Sequence, residues 1–160
     1  MKFAAVFILF LFPSMMFSQS NNENTGKHAL EEAQIRRSEA ARPLIIFITA
    51  DWCSYCKLMK KKVFGNANVA TQIESDFYFA ELNGGYTKPI KWEGKTYWFA
   101  PTGAGTGTHE LALHLGAVNG KLTYPTMVIL DENSKVLFRY GGFLTAMEMF
   151  KILDTVKSER

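Results

Sequence analysis

The only two cysteines in this chain of 160 residues, Cys53 and Cys56, stand in a Cys-x-x-Cys pattern. Thiol-disulfide exchange needs a thiolate to attack and a second thiol close enough to resolve the mixed disulfide that forms. This spacing supplies both, with Cys53 suited to attack and Cys56 to resolve. A structural staple is a competing use, but a crosslink between near neighbours removes little entropy from the unfolded chain. Zinc binding is another, since His109 and His114 follow the cysteines. The stretch between the pairs, however, far exceeds the roughly dozen residues of a zinc finger. The pattern therefore favours redox chemistry that needs neither a metal nor an organic cofactor. His109 and His114 are then expected as ordinary helix-surface residues.

The elements around the pair fit that chemistry. Leu44 to Thr49 (LIIFIT) is an unbroken apolar and β-branched run, as expected for a strand covered on both faces. It ends just ahead of the cysteines. Ser54 to Phe64 reads as a half-buried helix stopped by Gly65 and Asn66, so Cys53 would meet the free amides and positive dipole end of that helix. Upstream, Ala29 to Ala41 is helical in composition and Pro43 closes it. Downstream, the spacing of Val69, Ile73 and Phe77 predicts a short helix over Ala67 to Glu74, followed by a strand over Phe77 to Leu82.

Gly84 to Gly107 is crowded with glycines and aromatics and reads as an insertion. It is expected to fold as one hairpin, Ile90 to Trp92 against Thr96 to Phe99, turning at Glu93-Gly94-Lys95. Tyr86, Trp92, Tyr97, Trp98 and Phe99 are expected to pack that hairpin onto its own domain, with a platform for a partner protein as the alternative. Thr108 is expected to cap a short helix running through Gly116, with Glu110 in its first turn. Thr126 to Leu130 and Val136 to Tyr140 form a predicted antiparallel hairpin around Asp131 to Ser134, and Leu144 to Val156 carries helical periodicity.

At 48% hydrophobic and 21% charged residues, the composition suits one compact domain. A net charge of +3 gives no electrostatic case for binding nucleic acid. Lys2, the apolar run Phe3 to Phe12 and the small or polar residues that follow make a secretory leader. The run falls short of the ~20 residues that span a bilayer. Cleavage near Ser18 is expected, although Met16 is large for its position. The reading is thus a leader over 1–18, a polar flexible lead-in over 19–28 and one domain over 29–160, exported, most directly to a periplasm. Export also favours oxidation of a nearby thiol pair.

The segment Ala50-Asp51-Trp52-Cys53-Ser54-Tyr55-Cys56-Lys57 and the later Tyr124-Pro125-Thr126 resemble the thioredoxin family. Lys60 to Phe64, Val69 and Phe77 look like its exported, single-domain branch, related to the C-terminal domain of membrane disulfide reductases. The resemblance covers about Ala29 to Val156 and is weak over the insertion. It implies an α/β three-layer sandwich, a mixed central sheet with helices on both faces, plus the aromatic hairpin. It further implies that Pro125 is a cis-proline beside the active disulfide and that Trp52, Tyr124 and Pro125 shape the surface where substrate docks. Disulfide-containing exported proteins and a membrane or exported electron donor become the expected partners of a monomer.

One departure touches mechanism. Many thioredoxins carry a buried aspartate on the first central strand, where this chain has Phe47. Glu81, on the neighbouring strand, is the candidate to accept the proton instead, against the plainer reading of a surface or salt-bridged glutamate. Ser54-Tyr55 places no cation between the cysteines, which points toward reducing disulfides rather than forming them. A redox-inert adaptor that binds partners through the aromatic hairpin is the alternative function.

Overall fold

The computed structural model describes residues 25–159. The expected leader and most of the lead-in lie outside the described residues. Helix α1 (Thr25–Glu39) opens ahead of the Ala29 boundary expected from composition. Once a helical turn is nucleated, each further residue adds a hydrogen bond at little cost, so an Ala- and Glu-rich segment propagates backward.

Strand β1 (Leu44–Thr49) is buried at every position. It pairs in parallel with β2 (Tyr78–Asn83) and antiparallel with β7 (Thr126–Leu130), which pairs antiparallel with β8 (Val136–Gly141). The sheet order is β2-β1-β7-β8, a mixed sheet with β1 and β7 at its centre. Alternation along a strand sends successive side chains to opposite faces. Ile45, Phe47, Met127 and Ile129 face one core, shared with α2 (Ser54–Met59), α3 (Ala67–Asp76) and α5 (Ala146–Ser158). Leu44, Ile46, Ile48 and Val128 face the other, beneath α1 and α4 (Glu110–Gly116). The result is the three-layer α/β sandwich with a mixed sheet that the sequence implied.

Three elements differ from expectation in ways that bear on the site. The helix after the cysteines is not uniform: α2 runs on as a π-helical turn over Lys60–Phe64 before Gly65 stops it. The insertion is two ribbons rather than one. β3 (Ile90–Trp92) pairs with β4 (Lys95–Tyr97), and β5 (Phe99–Gly103) pairs with β6 (Thr106–His109). Glu93 and Gly94 turn the first ribbon at positive φ, 49° and 77°, the geometry a tight two-residue hairpin requires. The second turn was hidden because Ala100 to Gly107 has little apolar alternation to mark a strand. Finally, α4 is capped by His109 and not Thr108, whose place is in β6.

The first ribbon packs inward. Ile90, Trp92 and Tyr97 are buried in the core under α1 and α4, so the packing expected of the five aromatics holds for Trp92 and Tyr97, is partial for Tyr86 and Phe99 and fails for Trp98, which stays exposed. Gln34 of α1 donates to the Lys91 carbonyl and accepts from the Glu93 N–H, at 3.4 and 3.1 Å. Arg37 of the same helix donates to the Asp131 carbonyl and to Ser134 Oγ in the β7–β8 turn. At the far end of the chain, Thr145 and Glu148 form a reciprocal capping box that starts α5.

Candidate active site

Cys53 and Cys56 are joined in a disulfide, with Cα atoms 5.3 Å apart. β1 delivers the chain to this point, and the Cys53 N–H donates to the Ala50 carbonyl at 3.0 Å, turning it into α2. Cys53 is the N-cap residue: its Sγ accepts the Cys56 N–H at 3.0 Å. Amides at a helix N-terminus have no partner inside the helix, so a sulfur placed there receives both a hydrogen bond and the positive end of the helix dipole. A thiolate formed on Cys53 would be held by the same contact. Cys53 keeps 4% of its surface accessible and Cys56, inside the helix, 1%.

Around this sulfur lies an exposed aromatic rim. Trp52 is 75% exposed and Tyr55 63% exposed, unusual for large apolar rings. Trp52 stands edge-on to Tyr124 with ring centres 5.5 Å apart, and Tyr55 tilts against Phe143 at 6.2 Å. The Tyr124–Pro125 peptide bond is cis. Tyr124 contacts both cores of the sheet. Burial raises its pKa above the ordinary value. Its ring lies directly over Gly84, where a Cβ would come within 2.0 Å of the Tyr124 oxygen. Gly84 is in turn fixed by backbone bonds to Thr49 and His109, at 2.8 and 2.7 Å.

His109 is the joint of this region and corrects the surface-helix expectation. It is fully buried. Nδ1 accepts the Leu111 N–H at 3.2 Å, so the proton sits on Nε2, which lies 3.2 Å from the Lys88 carbonyl and donates to it. Burial lowers its pKa, outweighing the Lys88 carbonyl and the Glu110 charge. His114 is exposed on α4, as expected of a helix-surface residue, and lies against the Tyr97 ring at 5.2 Å. Among the described residues, no group of three or more His, Cys, Asp or Glu residues gathers as a metal site.

Glu81 pairs in register with Phe47 across the parallel β1–β2 ladder, and alternation turns it toward the face that carries α2. There its carboxylate accepts from Lys60 Nζ at 2.7 Å and from Thr49 Oγ1 at 3.0 Å. It is thus salt-bridged and partly exposed, on the side of the sheet that carries α2. Phe47 itself is fully buried, edge-on to Phe64 at 4.8 Å, where a carboxylate would face an apolar wall.

Sequence reasoning placed the cysteines, Trp52, Tyr124 and Pro125 in one neighbourhood, and the structure gathers them. It missed Gly84 and His109, whose roles come from contacts between distant segments. The glycine that opens the insertion was the one local hint.

A family model described as a thioredoxin-like domain matches residues 30–157. Three solved structures share the fold. A DsbH oxidoreductase is 18% identical with TM-score 0.55, the match covering 81% of this chain and 82% of that one. The C-terminal domain of Neisseria meningitidis DsbD in its reduced form is 16% identical with TM-score 0.54, covering 82% and 96%. A disulphide isomerase from Xylella fastidiosa is 12% identical with TM-score 0.57, covering 86% and 95%. At such identities the likeness is one of fold. No curated protein matches the chain.

Proposed function

The chain belongs to the thioredoxin-like family, and from that premise we propose that it is an exported thiol-disulfide oxidoreductase that reduces protein disulfides. The observation that carries the reading is the cap: Cys53 Sγ holds the N-terminus of α2 through the Cys56 N–H, at the foot of an exposed aromatic rim. In its dithiol form, Cys53 as thiolate attacks one sulfur of a substrate disulfide. The substrate bond breaks, one substrate sulfur leaves as thiolate and takes a proton, and a mixed disulfide to Cys53 remains. Cys56 loses its proton and attacks Cys53 Sγ, re-forming the Cys53–Cys56 bond and expelling the second substrate thiol. Two electrons and two protons pass to substrate, and a partner dithiol must return them.

Trp52, Tyr124 and Pro125 shape the surface over which the substrate docks. The expected partners are disulfide-containing exported proteins and an exported or membrane electron donor. The leader supports export, and the solved neighbours include proteins whose names carry disulfide chemistry. Glu81, bound to Lys60 at the α2 face, is the candidate proton acceptor for Cys56.

Insulin reduction driven by a small dithiol tests the reading. Wild type turns over and Cys53→Ser does not. Equal rates for the two would leave a redox-inert adaptor or a purely structural disulfide. Equilibration with glutathione should place the couple near the roughly −270 mV of thioredoxin, and a value near about −120 mV would overturn the reducing direction. Cys56→Ala, which blocks resolution, should retain native partners on Cys53.

A further inference from the structure

The insertion buries its first ribbon and then holds one tryptophan out. Tyr97 is buried, whereas Trp98, the next residue, is 57% exposed. Its backbone is clamped: the Trp98 N–H donates to Glu110 Oε2 at 2.9 Å and its carbonyl accepts the Glu110 N–H at 2.8 Å. An exposed indole on a fixed backbone presents a large apolar surface with little ordering left to lose on contact.

Register locates that indole. Ala100 pairs with Thr108, and Phe99 with His109. Trp98 stands one residue ahead of β5, where its carbonyl bond to the Glu110 N–H carries the ribbon pairing one step further, and alternation from Phe99 then puts it on the Ala100 and Thr108 face, opposite buried His109. The same ribbon is tied to the rim through Gly84, whose carbonyl accepts the His109 N–H at 2.7 Å and which lies beneath the Tyr124 ring, and Tyr124 abuts Trp52 at the disulfide. Trp98 therefore belongs to the ribbon that joins the rim.

We propose that Trp98 is a specificity-determining residue, contacting an apolar side chain next to the disulfide of a substrate protein. The inference rests on the oxidoreductase reading. It also names the occupant, because a surface continuous with the rim of Cys53 is crossed by the chain segment that brings a disulfide to Cys53. Apolar substrate residues fit because the rim already offers Trp52 and Tyr55, two further exposed rings.

Two short peptides closed by the same disulfide make the test, one with Phe and Leu beside the cysteines and one with Ser at those places. Wild type should favour the apolar peptide by about tenfold in kcat/KM, the size of a moderate aromatic hot spot, mainly through KM. Trp98→Ala should erase that preference, and Trp98→Phe should keep most of it. As the side chain is exposed, both variants should fold, which far-UV circular dichroism checks. The inference is overturned if wild type reduces both peptides alike or if Trp98→Ala retains the preference. Failure of wild type to reduce either peptide would instead overturn the oxidoreductase reading, and the inference with it.

Discussion

Mild acid should loosen the seam between the insertion and the rest of the domain, through His109. The buried imidazole uses both nitrogens, Nε2–H toward the Lys88 carbonyl and Nδ1 from the Leu111 N–H. Protonating Nδ1 turns an acceptor into a donor that faces a donor, in a site with no accessible surface. Burial accordingly holds the folded pKa below the unfolded value of about 6.5. Between the two values the unfolded chain binds more protons than the folded one, so stability is fully present above about pH 6.5. It falls as pH drops from there through the folded pKa, then levels. One site can contribute a slope of at most about 1.4 kcal/mol per pH unit. Asn caps a helix well and does not titrate near neutrality, so His109→Asn is the comparison. Near pH 7.5 it should cost about 1–3 kcal/mol, from the lost Lys88 bond and imperfect filling. Urea unfolding followed by tryptophan fluorescence across about pH 8 to 5 gives both curves. The wild-type advantage should be constant at the alkaline end and shrink below about pH 6.5. Parallel curves, or a wild-type advantage that grows in acid, would refute the reasoning.

Two further perturbations probe the same end of the sheet. Gly84→Ala would drive a Cβ into the Tyr124 ring and hydroxyl, 2.0 to 2.8 Å away. It should destabilise the fold by about 1–3 kcal/mol in urea unfolding, and midpoints equal to wild type would show that Tyr124 is not held there. Glu81→Gln removes a partly exposed ion pair to Lys60, a change in stability of only about 0.2–1 kcal/mol. Its larger effect should be on the pH profile of Cys56 alkylation in the reduced protein; an unaltered profile would remove Glu81 as proton acceptor.

Much of the frame was legible because it is written in local patterns. The apolar run Leu44 to Thr49 is a strand buried on both faces, and the polar turn Asp131 to Ser134 joins two antiparallel strands. The insertion was less legible. Its second ribbon carries glycine, threonine and proline in place of alternating apolar residues, so only the backbone pairing of Ala100 with Thr108 reveals it. His109 took the capping role expected of Thr108 because both residue types can accept from a helix N-terminus. The burial of His109 and the pairing of Thr108 within β6 decided between them.

What the sequence determined by itself was the spacing of Cys53 and Cys56, the strand that leads to them and the helix that follows. These depend on dihedral preferences and periodicities spanning a few residues. Only the tertiary structure decided that Glu81 meets Lys60, because that contact needs the β1–β2 register and the π-helical turn together. It alone set Tyr124 over Gly84 and joined the insertion to the rim of the disulfide. Such contacts are chosen by how the whole chain buries its apolar faces, and no local stretch of sequence carries that information.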